Sequence, residues 1–227
     1  MTEPLPPWWR RLLATRWLVL VVVAVVALFL FSELGIEILE PGANQVDQVA
    51  RDWVLAHQWP PLVGLAWVLT SIGSTVGTAI LGLAVTAWLW IRRHRRIAAV
   101  VGTAPVAATA GFDGLKHFFM RVRPPGAALA QITTYSFPSG HATVAAAVWL
   151  TLAYTLRRER LISRAAAVVL GVGWPVIVGL TRVYLDVHWA TDVLGGWCLG
   201  AGVAGMATGV YEHLQHRRAP RAADVNA

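Results

Sequence analysis

Hydrophobic and polar positions fall in long blocks along this chain. Trp17–Phe31 is an uncharged run, and Trp59–Ile91 carries no charge at all. Further apolar runs cover Ile97–Phe112, His141–Leu156, Ala165–Thr181 and Trp189–Tyr211. At 1.5 Å per residue, Trp59–Ile91 is far too long to cross a hydrocarbon core of roughly 30 Å as one straight helix. Ser71-Ile72-Gly73-Ser74 is the predicted break, leaving Pro61–Thr70 near the interface and Thr75–Ile91 spanning. The pattern predicts an all-α fold, an integral membrane bundle of six transmembrane helices. Residues 1–16 form a polar, basic N-terminal segment, 17–212 the six-span domain and 213–227 a polar, disordered tail. Glu33–Gln58 reads as an acidic loop with a short surface helix over Val46–His57, and Lys116–Pro138 as a second loop. Ser32-Glu33-Leu34-Gly35 offers no clear small-x-small cleavage site, so the first run is expected to be retained.

Composition agrees. The chain is 56% hydrophobic and only 14% charged, with a mean hydropathy of +0.56. A pI near 10.7 would point to nucleic acid in a soluble protein. Here the basic residues cluster between apolar runs, so the lipid bilayer, not nucleic acid, is the expected partner. Cys198 is the single cysteine, which excludes an intrachain disulfide and a thiolate metal site. Several of the twelve tryptophans, Trp17, Trp59, Trp88, Trp90 and Trp189 among them, sit near the ends of runs, as in an interfacial belt.

The six-span layout sorts the nineteen basic residues into fourteen on one side and five on the other. The positive-inside rule then places both termini in the cytoplasm. The minority side, holding Arg51, Lys116, Arg121, Arg123 and Arg182, faces outward. Gly196, Gly200, Gly205 and Gly209 form small-xxx-small pairs in the last span, which close helix packing explains without chemistry.

Three clusters lie at the outward ends of the later spans. In the first, Lys116 is the only lysine of the chain and is followed by Arg123-Pro124. The second is Pro138-Ser139-Gly140-His141. Pro138 stops a preceding helix, Ser139 is a favoured N-cap and the new helix start favours an anion. Gly140 lets a ligand approach the backbone, and His141 can donate a proton near neutral pH. Alone, this is a capped membrane helix that carries a histidine. The third cluster is Arg182, His188 and Asp192. His188 and Asp192 share one helical face, and an imidazole N–H given to Asp192 eases burial of the carboxylate, fixes the tautomer and frees the other nitrogen as a nucleophile. Arg123 and Arg182 supply planar forks for phosphate oxygens. Together the clusters outweigh their individual structural readings: a snorkelling lysine, a capped helix and a stabilising His–Asp pair.

Lys116-x6-Arg123-Pro124, Pro138-Ser139-Gly140-His141 and Arg182-x5-His188-x3-Asp192 resemble the three-part signature of the type 2 phosphatidic acid phosphatase family. Members include membrane lipid phosphatases, undecaprenyl pyrophosphate phosphatases and soluble vanadium haloperoxidases. Thr181 stands where the family usually has serine, and Val122 replaces a frequent proline. The resemblance implies that Lys116, Arg123, Ser139, Gly140 and Arg182 bind phosphate. It implies that His188, oriented by Asp192, attacks phosphorus to form a phosphohistidine. His141 then protonates the leaving oxygen and later activates water. No metal and no cofactor is implied. The expected substrate is a membrane lipid phosphate or pyrophosphate, an undecaprenyl-type pyrophosphate first and phosphatidylglycerophosphate or phosphatidic acid next. A non-enzymatic lipid or anion transporter is the rival from another class; it explains the arginines but gives no reason for two histidines and a paired aspartate.

Overall fold

A computed structural model describes residues 8–40 and 45–216. All regular structure among them is helical. Ten helices run in order: α1 Trp8–Leu39, α2 Gln45–Ala56, α3 Pro60–Ile72, α4 Thr75–Ile91, α5 Arg95–Phe119, α6 Gly126–Leu129, α7 Gly140–Arg158, α8 Arg164–Val168, α9 Trp174–Tyr184 and α10 Ala190–His216. A π-helical turn, Val169–Gly173, joins α8 to α9. Pro175 follows that turn; it lacks an N–H and its ring crowds the carbonyl four residues back, a known cause of widened turns. Five segments are long and apolar enough to cross a membrane: Arg16–Leu39, Pro60–Ile91, Arg95–Phe119, Arg164–Tyr184 and Ala190–His216. The protein is a multi-pass membrane protein.

The expected break in the uncharged run falls where the sequence placed it. Gly73 ends α3, and the Ser74 hydroxyl accepts the Gly77 N–H at 3.1 Å, starting α4 at Thr75. Other boundaries differ. The first helix begins at Trp8, inside the stretch 1–16 expected to be a polar segment, and runs on to Leu39 through the start of the expected loop. Leu34 and Ile38 pack into an aromatic cluster, which continues the helix past Phe31. Residues 1–7 lie outside the described residues. At the other end α10 reaches His216, with His213 edge-on to Trp17 at 5.1 Å. Of the expected tail, 217–227 lie outside the described residues.

The largest correction concerns α5. It was expected to end at Asp113 but continues to Phe119, so Lys116 lies in its last turn and not in a loop. Leu115 and Phe119 pack against Phe31, Phe137 and Leu199, and this tertiary contact extends the helix. Met120, at φ 45°, then turns the chain left-handed and gives its N–H to the Lys116 carbonyl at 2.9 Å.

Helix α7 sits at the centre, with twelve of its nineteen residues buried. Its alanines and threonines make it less apolar than its neighbours and allow them close. The expected glycine pairs serve two different helices. A Cβ on Gly200 would lie 2.5 Å from the Thr143 carbonyl of α7, and one on Gly205 would lie 2.9 Å from Ala24 Cβ of α1. Small residues thus seat α10 between α7 and α1. Phe137 is fully buried, stacked on Phe31 and edge-on to Phe119 at 4.8 Å. It anchors the chain just before Ser139.

Candidate active site

Helix α10 begins with a carboxylate bent back on its own start. Asp192 accepts the Trp189 N–H at 2.9 Å on Oδ2, a capping geometry that also suits the positive end of the helix. The same oxygen meets His188 Nδ1 at 3.2 Å. On the other side of the ring, Arg123 Nη1 lies 3.0 Å from His188 Nε2. A guanidinium only donates, so Nε2 is the acceptor and the ring proton sits on Nδ1, facing Asp192. Burial, then Arg123, Lys116 and Arg182, push the His188 pKa well below the ordinary imidazole value. The ring is therefore neutral, with its lone pair on Nε2.

The cost of burying Asp192 was expected to be eased by His188. The larger partner is Arg121, whose Nη1 gives Asp192 Oδ1 a bond of 2.6 Å. Arg121 Nη2 holds Asp47 Oδ2, also at 2.6 Å. Asp47 in turn accepts the Thr191 N–H at 2.9 Å and its hydroxyl at 2.6 Å. An Asp47–Arg121–Asp192–His188 chain thus runs through a buried interior, with Asp47 at 1% and Asp192 at 0% exposure. The helix expected to lie on the surface, α2, instead plugs into the end of α10 through Asp47. One turn on, Arg51 grips Asp186 with two bonds, of 2.7 and 2.9 Å, and Asp186 accepts the Gly126 N–H.

The other predicted site residues converge on the same end of the bundle. Lys116 Nζ donates to the Tyr135 carbonyl. Arg123 Nε donates to the Thr134 carbonyl and Nη1 to the Val187 carbonyl, both at 2.6 Å. These bonds fold the loop between α6 and α7 over the site. Arg182 Nη1 reaches Thr70 Oγ1 at 2.9 Å, whereas its Nε is buried with no hydrogen-bond partner among the described residues. Ser139 stands at the N-cap of α7 as expected, but its side chain makes no capping bond and its Oγ is likewise buried and unpartnered. Its backbone N–H is taken by the Asp192 carbonyl at 3.0 Å, which ties the starts of α7 and α10 together. A Cβ on Gly140 would lie 3.0 Å from the Phe112 ring, so only glycine lets α7 begin here unstrained. His141 Nδ1 meets Thr75 Oγ1 at 3.2 Å. Lys116, Arg123, Arg182 and His188 are all near enough to act electrostatically on His141.

Five residues of this constellation were not expected from the sequence as site residues. Arg121 counted only as an outward charge. Asp47 and Arg51 are spaced like an exposed i,i+4 pair, and nothing in the sequence says that each binds elsewhere. Thr70 and Thr75 flank the predicted α3–α4 break, and that break is what aims them at Arg182 and His141.

An imidazole lone pair, orphaned donors and several cations at a helix start are suited to an oxyanion that bears a tetrahedral centre. Comparison with known proteins points the same way. The chain is 38% identical to phosphatidylglycerophosphatase B of Bacillus subtilis over 112 residues, 46% of this chain and 53% of that one. It is 33% identical to an undecaprenyl-diphosphatase of Sulfolobus acidocaldarius over 138 residues, 58% of this chain and 64% of that one. It thus spans between half and two thirds of the length of these two relatives. The crystal structure of a transmembrane PAP2-type phosphatidylglycerolphosphate phosphatase from Bacillus subtilis shares its fold, with a TM-score of 0.71 at 27% identity, covering 84% of this chain and 96% of that one. The profile of the PAP2 superfamily matches residues 97–215, which hold Lys116, Arg123, Ser139, His141, Arg182, His188 and Asp192, and the chain belongs to that superfamily.

Proposed function

We propose that this protein is a lipid phosphatase that hydrolyses a lipid phosphate or pyrophosphate through a phosphohistidine. The observation that carries this reading is the neutral His188, held by Asp192 with its Nε2 lone pair turned to the cations. In the proposed reaction Nε2 attacks phosphorus while the bond from phosphorus to the lipid-side oxygen breaks. The leaving oxygen takes a proton from His141. Attack requires Arg123 Nη1 to shift its bond from Nε2 to a phosphate oxygen, which keeps that donor in use throughout. Lys116, Arg182, Ser139 and Gly140 hold the remaining oxygens; the unpartnered Ser139 Oγ and Arg182 Nε support this assignment. Water, deprotonated by His141, then splits the P–N bond, releasing phosphate and restoring His188. Fixed cations supply the charge stabilisation.

Undecaprenyl diphosphate is the first candidate substrate, consistent with the relative from Sulfolobus acidocaldarius. Phosphatidylglycerophosphate is the second, favoured by the solved relative, which this chain covers almost end to end. Phosphate release by the purified protein from a panel of these two lipids and phosphatidic acid tests the reading. Vanadate, which adopts the five-coordinate geometry of the transition state, should inhibit, and EDTA should leave the rate unchanged. Loss of activity in EDTA, restored by a divalent ion, would overturn the mechanism.

In the proposed topology α7 crosses as the fourth span, bringing the five long apolar segments to six crossings, with both termini in the cytoplasm and the site facing outward. Arg51, Lys116, Arg121, Arg123 and Arg182 are all engaged around the site, and the fourteen other basic residues belong to the remaining segments. In a Cys198→Ala background, Thr133→Cys should react with a membrane-impermeant thiol reagent on intact cells, and His94→Cys only after permeabilisation. The reverse pattern would put the site in the cytoplasm.

A further inference from the structure

At the opposite end of α7 from Ser139, on the order of 27 Å away at 1.5 Å per residue, a cleft of about 1040 Å³ opens between α1, α7 and the α8–π-turn segment. Five arginines line it: Arg16, Arg157, Arg158, Arg160 and Arg164. One of them is neutralised. Arg158 Nε lies 2.6 Å from Glu212, a buried carboxylate that also accepts the Tyr154 hydroxyl at 2.8 Å. Glu159, the acid on the same turn, is taken up by the Tyr211 hydroxyl. Among the described residues, Arg16, Arg157, Arg160 and Arg164 make no ion pair or hydrogen bond through their side chains. The Tyr211 hydroxyl is neutral and leaves the Glu159 charge in place, so the cleft and its rim carry a net charge close to +3.

The rest of its wall is apolar. Val19 on α1 and Val168 and Val172 opposite are at least half exposed and continue the cleft toward the hydrocarbon. Gly171 lets the π-turn close on α7, since a Cβ there would lie 2.8 Å from Ala153 Cβ. A small soluble anion matches the arginines but leaves the apolar rails uncovered. A neutral lipid covers the rails but leaves the charge unpaired. An anionic phospholipid does both, with its phosphate under the guanidinium forks and an acyl chain along Val19, Val168 and Val172. We propose that this cleft is a binding site for an anionic phospholipid of the leaflet it faces, separate from the phosphate site.

Arginines at this end of the bundle also satisfy the positive-inside rule, and the α4–α5 turn provides the internal comparison. Arg92 and Arg95 lie over the rings of Trp88 and Trp90 at 5.6 and 5.3 Å, and neither lines this cleft. Bulk charge makes the two arginine groups equivalent; a built site separates them.

Native mass spectrometry of the full chain, titrated with phosphatidylglycerol and in parallel with phosphatidylcholine of the same chains, distinguishes the two. One phosphatidylglycerol per chain should be retained in preference to phosphatidylcholine. At about fivefold per arginine, Arg157→Gln/Arg160→Gln/Arg164→Gln should weaken that binding on the order of 100-fold. Arg92→Gln/Arg95→Gln should leave it unchanged. The exposed single change Arg160→Glu keeps the test usable if the triple variant does not fold, and should weaken binding at least about fivefold. Equal retention of phosphatidylcholine, equal weakening by the Arg92/Arg95 variant, or displacement of the lipid by millimolar inorganic phosphate would each overturn the proposal.

Discussion

His188→Ala is expected to abolish phosphoenzyme formation with every substrate, whereas His141→Ala should retain a burst of nitrophenol from a nitrophenyl phosphate. Losing the nucleophile leaves no bond to form at phosphorus, a loss on the order of 10⁵ in kcat. Losing the general acid removes a contribution of typically 10²–10⁴-fold that scales with how badly the leaving oxygen needs its proton. A lipid alkoxide needs it greatly and a nitrophenolate little. His141→Ala should therefore be crippled on phosphatidic acid, yet still transfer phosphoryl from the aryl ester before stalling at hydrolysis of the intermediate. The initial burst, not the steady state, is the quantity to measure. The burst should also persist in the wild type as pH falls through about 6.5. Burial and three cations depress the His188 pKa, so its lone pair stays available below the ordinary imidazole range. A burst lost by His141→Ala and kept by His188→Ala would exchange the two roles.

The Thr75 hydroxyl, 3.2 Å from His141 Nδ1, gives His141 a different environment from His188. His188 is clamped by a carboxylate on one nitrogen and faced by a guanidinium on the other. His141 has only a neutral hydroxyl on Nδ1 and so lacks a carboxylate to raise its basicity. The two rings have opposite local chemistry although both are close to the same cations.

That contrast was partly visible in the sequence. The i,i+4 spacing of His188 and Asp192 and the Pro-Ser-Gly-His start of α7 are local features, and local features are what a linear pattern encodes. The α3–α4 break was legible for the same reason: Gly73 and Ser74 carry their own stop and start signals. The end of α5 was not, because Asp113 is polar in sequence while the packing of Phe119 on Phe137 is a tertiary fact. Nor was Asp47. Its partners Arg121 and Thr191 are 74 and 144 residues away, and α2 has the amphipathic composition of an exposed helix. Ser139 was read correctly in place, but that its hydroxyl makes no capping bond and lies buried without a partner depends on tertiary packing, which a linear pattern does not encode.

The second large effect concerns that hidden chain. Arg121 bridges Asp47 and Asp192 with its side chain only 8% exposed. Arg121→Gln would leave two carboxylates in the interior without their counter-charge, and breaking such a buried pair costs about 3–5 kcal/mol. The variant should therefore unfold at markedly lower temperature or denaturant. Asp47→Asn/Arg121→Gln removes one of the stranded charges and should recover part of that stability, a coupling readable as a double-mutant cycle. Activity should not recover with it. Asp192 would still lack the guanidinium that fixes its Oδ1, so the His188 ring would be less firmly held. Because Arg121 is engaged with Asp47 and Asp192, the loss should appear in kcat, with KM for the lipid little changed. Arg123→Gln, by contrast, should raise KM as well. A double variant that regains full turnover along with stability would show that Arg121 merely props the fold, and that Asp192 orients His188 unaided.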